Sequence, residues 1–402
     1  MRALRNASFA AAAVAASIGL SIGNASAAQE VVLGVFVPTT GVLAPLGNDM
    51  KNGFELAAQG ATVKGRPVKL VIEDTAANPA NGLRKAQKLV LEDKATLLIG
   101  GTASSVTLAI NAQASRLNVP IVTTNAQAVG ITGEQCSRYL FRTVPNDAMS
   151  AKANSIMMQQ RKELLDKKWF VVYHDFAYGH SNKAEFAKIP GVKIVGEAGR
   201  PVGTADWSSA ISQIQASKAD GVYLALAVGD DLTAFVNQAR GYGIKDVMMT
   251  PVGIPDSMLQ ALGKNGVGMI AGGLTTSWMQ EDSNPKIAEL VKAYHAKYGT
   301  VPGYQAIQAY AGFQFVIAAL EAAGELSTDA IIKSLETVSA DTVVGKIKIR
   351  KEDHQAMMGA YISEAQALPK EKYGASVGWK TLSPLTWEQT KIDLPNTGCR
   401  GL

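Results

Sequence analysis

The sequence predicts an α/β protein built from two tandem units, each with a parallel sheet covered by helices on both faces. Three observations carry this. Apolar, β-branched runs of strand length alternate with segments of helical spacing through the first half. The alternation restarts after a break near residues 143–149. The chain has 402 residues, 47% of them hydrophobic and 18% charged, which suits two packed domains of ordinary size.

The N-terminus departs from this pattern. Arg2 and Arg5 precede an almost wholly small or apolar stretch over residues 7–22, and Ala25-Ser26-Ala27 offers small residues where a signal peptidase reads. The stretch is short and Ala-rich against the roughly 20 strongly apolar residues of a membrane span. Residues 1–27 are expected to be a cleaved secretory signal, with no Cys at the cleavage region to carry a lipid. After Gln29 no segment is apolar for long enough to cross a bilayer.

The elements then follow in order. Residues 31–37 read as a buried strand ended by Pro38, and 47–59 as a helix. A strand at 68–72, a helix at 82–91, a strand at 95–99, a helix at 106–117 and a strand at 119–123 complete the first unit. The second unit has strands at 169–173, 192–195, 221–227 and 247–250, separated by helices at 181–188, 207–216 and 232–242. Residues 285–323 are mainly helical, and strand-like pieces at 343–350 and 358–363 suit return crossings between the units.

Charge and cysteine content exclude several classes. A formal charge of +5, dispersed along the chain, is too small to imply nucleic acid. Cys136 and Cys399 form an even pair in an exported chain and are expected to be a disulfide. Such a bridge closes a very long loop, for which the chain-entropy model gives roughly 5 kcal/mol. Two Cys and four scattered His do not make a structural zinc site, and no metal or cofactor is expected.

Ligands of open parallel sheets bind beyond the carboxyl ends of the strands. That rule selects Pro38-Thr39-Thr40-Gly41, Gly100 to Ser105 and Thr124-Asn125-Ala126-Gln127 in the first unit. In the second it selects His174 to Gly179, Val228-Gly229-Asp230-Asp231 and Pro251-Val252-Gly253. The Gly100 to Ser105 loop is the most informative. Its glycines allow close approach of a ligand, Ser104 and Ser105 can cap the next helix, and a helix N-terminus suits a carboxylate. No nucleotide fingerprint or Gly-x-Ser-x-Gly elbow is present. His174 beside Asp175 is a poor base and orienter, because neighbours at a strand end point apart. The chain is not expected to be an enzyme.

The loops resemble those of the periplasmic solute-binding proteins of the leucine/isoleucine/valine class, which serve ATP-driven importers. The marks are Thr40-Gly41 with Ala44 and Gly47, Leu98-Ile99-Gly100 leading to Ser104-Ser105, and Val119-Pro120-Ile121. Leu140-Phe141-Arg142-Thr143, Asp175 with Tyr178-Gly179, and Gly345-Lys346-Ile347 complete the set. The resemblance implies the type I fold: two Rossmann-like lobes, three crossings and one ligand held in the cleft. Expected boundaries are 28–145 plus 278–348 for the first lobe and 146–277 plus 349–402 for the second. It also implies a periplasmic monomer whose partners are a small molecule and the importer's permease subunits.

The resemblance further implies which residues touch the ligand. Ser104 matches the carboxylate-binding serine, within the Thr102-Ala103-Ser104 stretch. Asn125, Ala126 and Gln127 fall on the loop that helps hold the carboxylate and amine. Tyr178 matches a tyrosine that closes over the ligand, and Leu46 lies where an aromatic ring is frequent. Two departures stand out. Val252 occupies the position of the acid that binds a ligand ammonium, and Ala227 or Val228 replaces a second tyrosine. A buried cation without a carboxylate is costly. The expected ligand is therefore a small organic acid, an aromatic one among the candidates. The alternative is an amino acid or amide, with Asp230 or Asp231 supplying the missing acid. Trp207, Trp278, Tyr304 and Tyr310 are further aromatic candidates for the cleft, although Trp207, at a helix start, is expected on the lobe surface.

Overall fold

Two mostly parallel sheets organise the chain in a computed structural model that describes residues 29–226, 230–273 and 276–402. The expected leader, residues 1–27, and the candidate Ala227 lie outside the described residues. The strands are β1 (Val31–Val37), β2 (Thr62–Val63), β3 (Arg66–Asp74), β4 (Leu97–Gly100), β5 (Ile121–Thr123) and β6 (Leu140–Arg142). Then come β7 (Lys168–His174), β8 (Lys193–Arg200), β9 (Gly221–Ala225), β10 (Val247–Thr250) and β11 (Ile270–Gly273). The last are β12 (Ser339–Thr342), β13 (Gly345–Arg350), β14 (Gln355–Ala356), β15 (Ala360–Lys372) and β16 (Ala375–Leu385).

The first sheet runs β12-β13-β14-β6-β5-β4-β1-β3-β2 and the second β16-β15-β11-β10-β9-β7-β8. The chain passes from first to second after β6, returns after β11, and passes again between β14 and β15. The last crossing falls beyond residue 348, because Gln355 pairs with Arg142 of β6 and accepts from its Nε at 2.8 Å.

β1 is a continuous apolar run, VVLGVFV, and is almost wholly buried because helices cover both faces of its sheet. On one face, Met50 and Phe54 pack with Ile287, Ile307, Phe315 and Leu335 from later helices. On the other, Leu89, Val106 and Ile110 form a separate core with Phe36 and Leu98. The second sheet is sandwiched likewise, with Ile211, Phe235 and Leu259 on one face and Met157, Met158 and Phe186 on the other. Trp207 belongs to this second core and is fully buried. Its expected surface position is wrong: the helix start is capped over by Phe235, in an edge-on ring contact.

Three of the elements that the sequence hides or disguises lie near the lobe junction or the first sheet. Helix Asp147–Gln160 is rich in Ala, Met and Ser and is buried over most of its surface, so it has little polar contrast to reveal its period. β11 ends in Gly272-Gly273, a poor strand signature. A Cβ at Gly272 would fall 2.5 Å from Asn154 Oδ1, so the glycine is what lets that helix lie against the strand. The expected helix at 106–117 is two pieces, Ser104–Asn111 and Ala114–Leu117, the second stopped by left-handed Asn118.

Cys136 and Cys399 are bonded, with Cα atoms 5.6 Å apart across a sequence separation of 263. The tail they anchor runs from helix Trp387–Thr390, packed on helix Asp147–Gln160, back to the first sheet. There the Ile392 carbonyl accepts from Arg350 at 2.7 Å. Among the described residues no helix is long and apolar enough to cross a membrane.

Candidate ligand-binding site

The carboxyl ends of both parallel sheets converge on one small cavity. Its walls are Leu43, Leu46, Thr102, Ala103, Asn125 and Gln127 from the first lobe's loops, with Phe176, Tyr178 and Val252 from the second. Tyr304, at the start of helix Tyr304–Ala322, closes the floor with Val252 and Val144. The cavity's volume is about 30 Å³.

Local packing places each wall. Helix Ala44–Ala57 starts hard against the end of β1: a Cβ at Gly47 would fall 1.7 Å from the Pro38 carbonyl oxygen. Thr39 N donates to the Asp74 carboxylate at 2.8 Å, which fixes the loop before that helix. In the next loop Gly100 and Gly101 have φ of 138° and 80°. Their missing side chains make room for Phe36, Thr107 and Thr123, so the close approach is to the protein's own core and not to a ligand. Tyr178 is carried by helix Ala177–Ala187, which can meet the end of β7 only because residue 179 is glycine; a Cβ there would lie 2.0 Å from His174 O.

The expected serine caps are not formed. The N-cap of helix Ser104–Asn111 is Ala103, with no side-chain cap, so Ser104 and Ser105 are already helical. Ser104 is buried behind the wall, its Oγ accepting from Ala128 N at 3.2 Å. Ala126 is likewise behind the wall, its N–H donating to Thr123 Oγ1 at 3.2 Å. Thr102, Ala103, Asn125, Gln127, Tyr178, Leu46 and Val252 do meet around the cavity. Leu43 and Phe176 join them without having been singled out from the sequence. Trp278 instead donates from Nε1 to Asp256 Oδ1 at 2.7 Å, and Tyr310 lines a groove beside Leu56 and Gln314.

No wall residue carries a charge at neutral pH. Ala227, Val228, Gly229, Leu274 and Thr275, the residues after Gln29 outside the description, are uncharged too. Burial pushes the Tyr178 and Tyr304 hydroxyls above the usual tyrosine range, with Asn125 offsetting part of the shift at Tyr304. Both hydroxyls are therefore neutral. The Asn125 amide nitrogen and Gln127 amide oxygen are buried without a well-formed partner among the described residues. Asp231 is committed elsewhere: it pairs with His174 at 2.8 Å and accepts from Gly203 N at 2.9 Å. Asp230 is exposed at the start of its helix, and Asp175 is exposed and pairs with His180. Among the described residues no group of three or more His, Cys, Asp or Glu is placed to hold a metal ion.

The two lobes interlock around the cavity. Leu46, from the first lobe, packs into the second lobe's core with Leu226 and Phe235. Tyr178 and Phe176, from the second, pack with Leu43, Ala103 and Ala126 of the first. The arrangement can enclose a small molecule and present neutral hydrogen-bonding groups and aromatic faces to it.

Residues 30–372 match the family model described as periplasmic binding protein. The chain is 28% identical over 355 residues to the Leu/Ile/Val-binding protein homolog 8 of Brucella abortus, covering 83% of this chain and 88% of that protein. A periplasmic binding protein from Burkholderia mallei superposes with a TM-score of 0.83 at 24% identity, covering 92% of this chain and 98% of the other. A solute-binding protein of an ABC transporter from Rhodopseudomonas palustris, in complex with 3,4-dihydroxybenzoic acid, superposes with a TM-score of 0.80 at 23% identity, covering 91% and 99%.

Proposed function

The chain belongs to the periplasmic binding protein family, in its branched-chain amino acid importer class, and from that premise we propose that its cleft captures a small aromatic carboxylate. The family's members are the solute-binding components of ABC importers and work in the periplasm. The chain binds its cargo without chemistry and hands it to the permease subunits as a monomer.

The observation that carries the cargo assignment is the wall of the cavity: three aromatic rings, four aliphatic side chains and no charge. An α-amino acid brings an ammonium group, and burying that group without an acid is costly. Val252, at the position where the resemblance puts such an acid, lines the cavity, and Asp231 is engaged by His174. A carboxylate alone fares better. The free N–H groups at the start of helix Ser104–Asn111 and the two tyrosine hydroxyls are neutral donors suited to an anion. The R. palustris neighbour with a bound dihydroxybenzoic acid adds weight; the Leu/Ile/Val name of the Brucella relative favours the alternative.

Titration calorimetry with benzoate, 4-hydroxybenzoate, leucine and valine tests this. Benzoates are expected to bind and the amino acids to fail. Tight binding of leucine or valine with none to the acids overturns it. Val252→Glu is expected to weaken benzoate binding at least tenfold, because a buried carboxylate would face an anionic ligand.

A further inference from the structure

A second, larger hollow adjoins the cavity. It has a volume of about 440 Å³ and is bounded by Val42, Ala77, Pro79 and Val202, with no charged side chain on its wall. Leu43, Ala103 and Phe176 line both spaces, so these three apolar side chains are the partition between them. Leu43 and Ala103 are buried in the first lobe, whereas Phe176 comes from the second lobe and is only partly buried.

Size makes the partition informative. The inner cavity, at about 30 Å³, is several times smaller than a cavity that admits benzene, about 150 Å³. An aromatic ring therefore enters only if a wall moves. Of the three partition side chains, Phe176 is the one that is only partly buried. Turning that ring, or a slight opening of the hinge, joins the inner cavity to the hollow. The hollow's far side is firmly held. Ala76 and Ala77 have φ of 47° and 54°, a left-handed pair without glycine. Ala76 N donates to Asp74 at 2.9 Å, and Asn78 caps the following helix by accepting from Asn81 N at 2.9 Å.

We propose that the cargo is elongated: its carboxylate lies in the inner cavity and an apolar extension passes Phe176 into the hollow between Val42 and Val202. The ligand class is an aryl acid bearing an apolar substituent of several carbons. This rests on the carboxylate reading above.

Calorimetry on the purified protein with benzoate, 4-ethylbenzoate and 4-butylbenzoate tests the proposal. Affinity is expected to rise about fourfold per added methylene, the transfer value of a buried CH₂. Val202→Asp and Val42→Asp, on opposite lobes and outside the inner cavity, are each expected to abolish that rise while leaving the benzoate affinity unchanged. An affinity that stays flat along the series overturns the proposal, as does a rise that both variants retain. Tight leucine binding with none to benzoate overturns the underlying carboxylate reading, and this proposal with it.

Discussion

Asp256 begins the helix Asp256–Leu262 and is 1% exposed, with its carboxylate under the Trp278 indole. Burial pushes its pKa up to about 8; the Trp278 hydrogen bond opposes the shift and Asp49 adds to it. Asp147 and Asp49 are raised by burial in the same way, to about 7 and about 6. A raised acid keeps its proton in the fold after the unfolded chain has lost its own. Stability therefore declines as pH climbs from about 4 towards 8. Asp256→Asn keeps an acceptor for Trp278 Nε1 and removes the titration. The variant is expected to melt a few degrees higher than the parent at pH 8 and at the same temperature at pH 4, as read by circular dichroism. An equal change at both pH values would show that the Asp256 carboxyl is not what titrates. Such a buried acid cannot be told from a surface one in the sequence, because its neighbours Trp278 and Asp49 are far away along the chain.

Contacts between elements explain residues that sequence reading could only mark. Tyr178-Gly179 was legible as a pair at a strand end, but the need for glycine is a distance between helix and strand. Gly179→Ala is expected to push helix Ala177–Ala187 off β7, displace Tyr178 and weaken ligand binding at least tenfold by calorimetry. Gly241→Ala, at an exposed helix end with nothing within 4 Å of the added carbon, is the control and is expected to leave affinity unchanged. Equal affinities for the two variants would separate the packing of Gly179 from the site. Helix Asp147–Gln160 is hidden in the sequence for a related reason. It is buried on most sides, so the polar stripe that reveals a surface helix is missing.

Across the whole molecule the disulfide adds a covalent tie to the three backbone crossings. The tail leaves the second lobe at helix Trp387–Thr390 and is pinned to the first at Cys136. For a separation of 263 residues, the chain-entropy model puts the stabilisation at about 5.5 kcal/mol when the bridge is unstrained. The double variant Cys136→Ser, Cys399→Ser is expected to melt on the order of 10 °C lower, at roughly 2–4 °C per kcal/mol for domains of this size. An unchanged melting temperature, with and without reductant, would show that the loop does not limit the unfolded state. The lobes also lock reciprocally, Leu46 into one core and Tyr178 into the other.

The α/β class, the two tandem units, the paired cysteines and most of the loops that surround the cavity are legible in the amino-acid sequence. These follow from local patterns: runs, spacings and strand ends are visible within a few residues. Tertiary structure alone decided which loop residues face inward. It turned Ser104 and Ala126 into the wall's backing, brought Leu43, Phe176 and Tyr304 to its surface, and spent Asp231 on His174. It also gave the paired glycines after β4 a partner in Phe36, Thr107 and Thr123. Each of those outcomes depends on distances between segments remote in sequence, which no local pattern encodes.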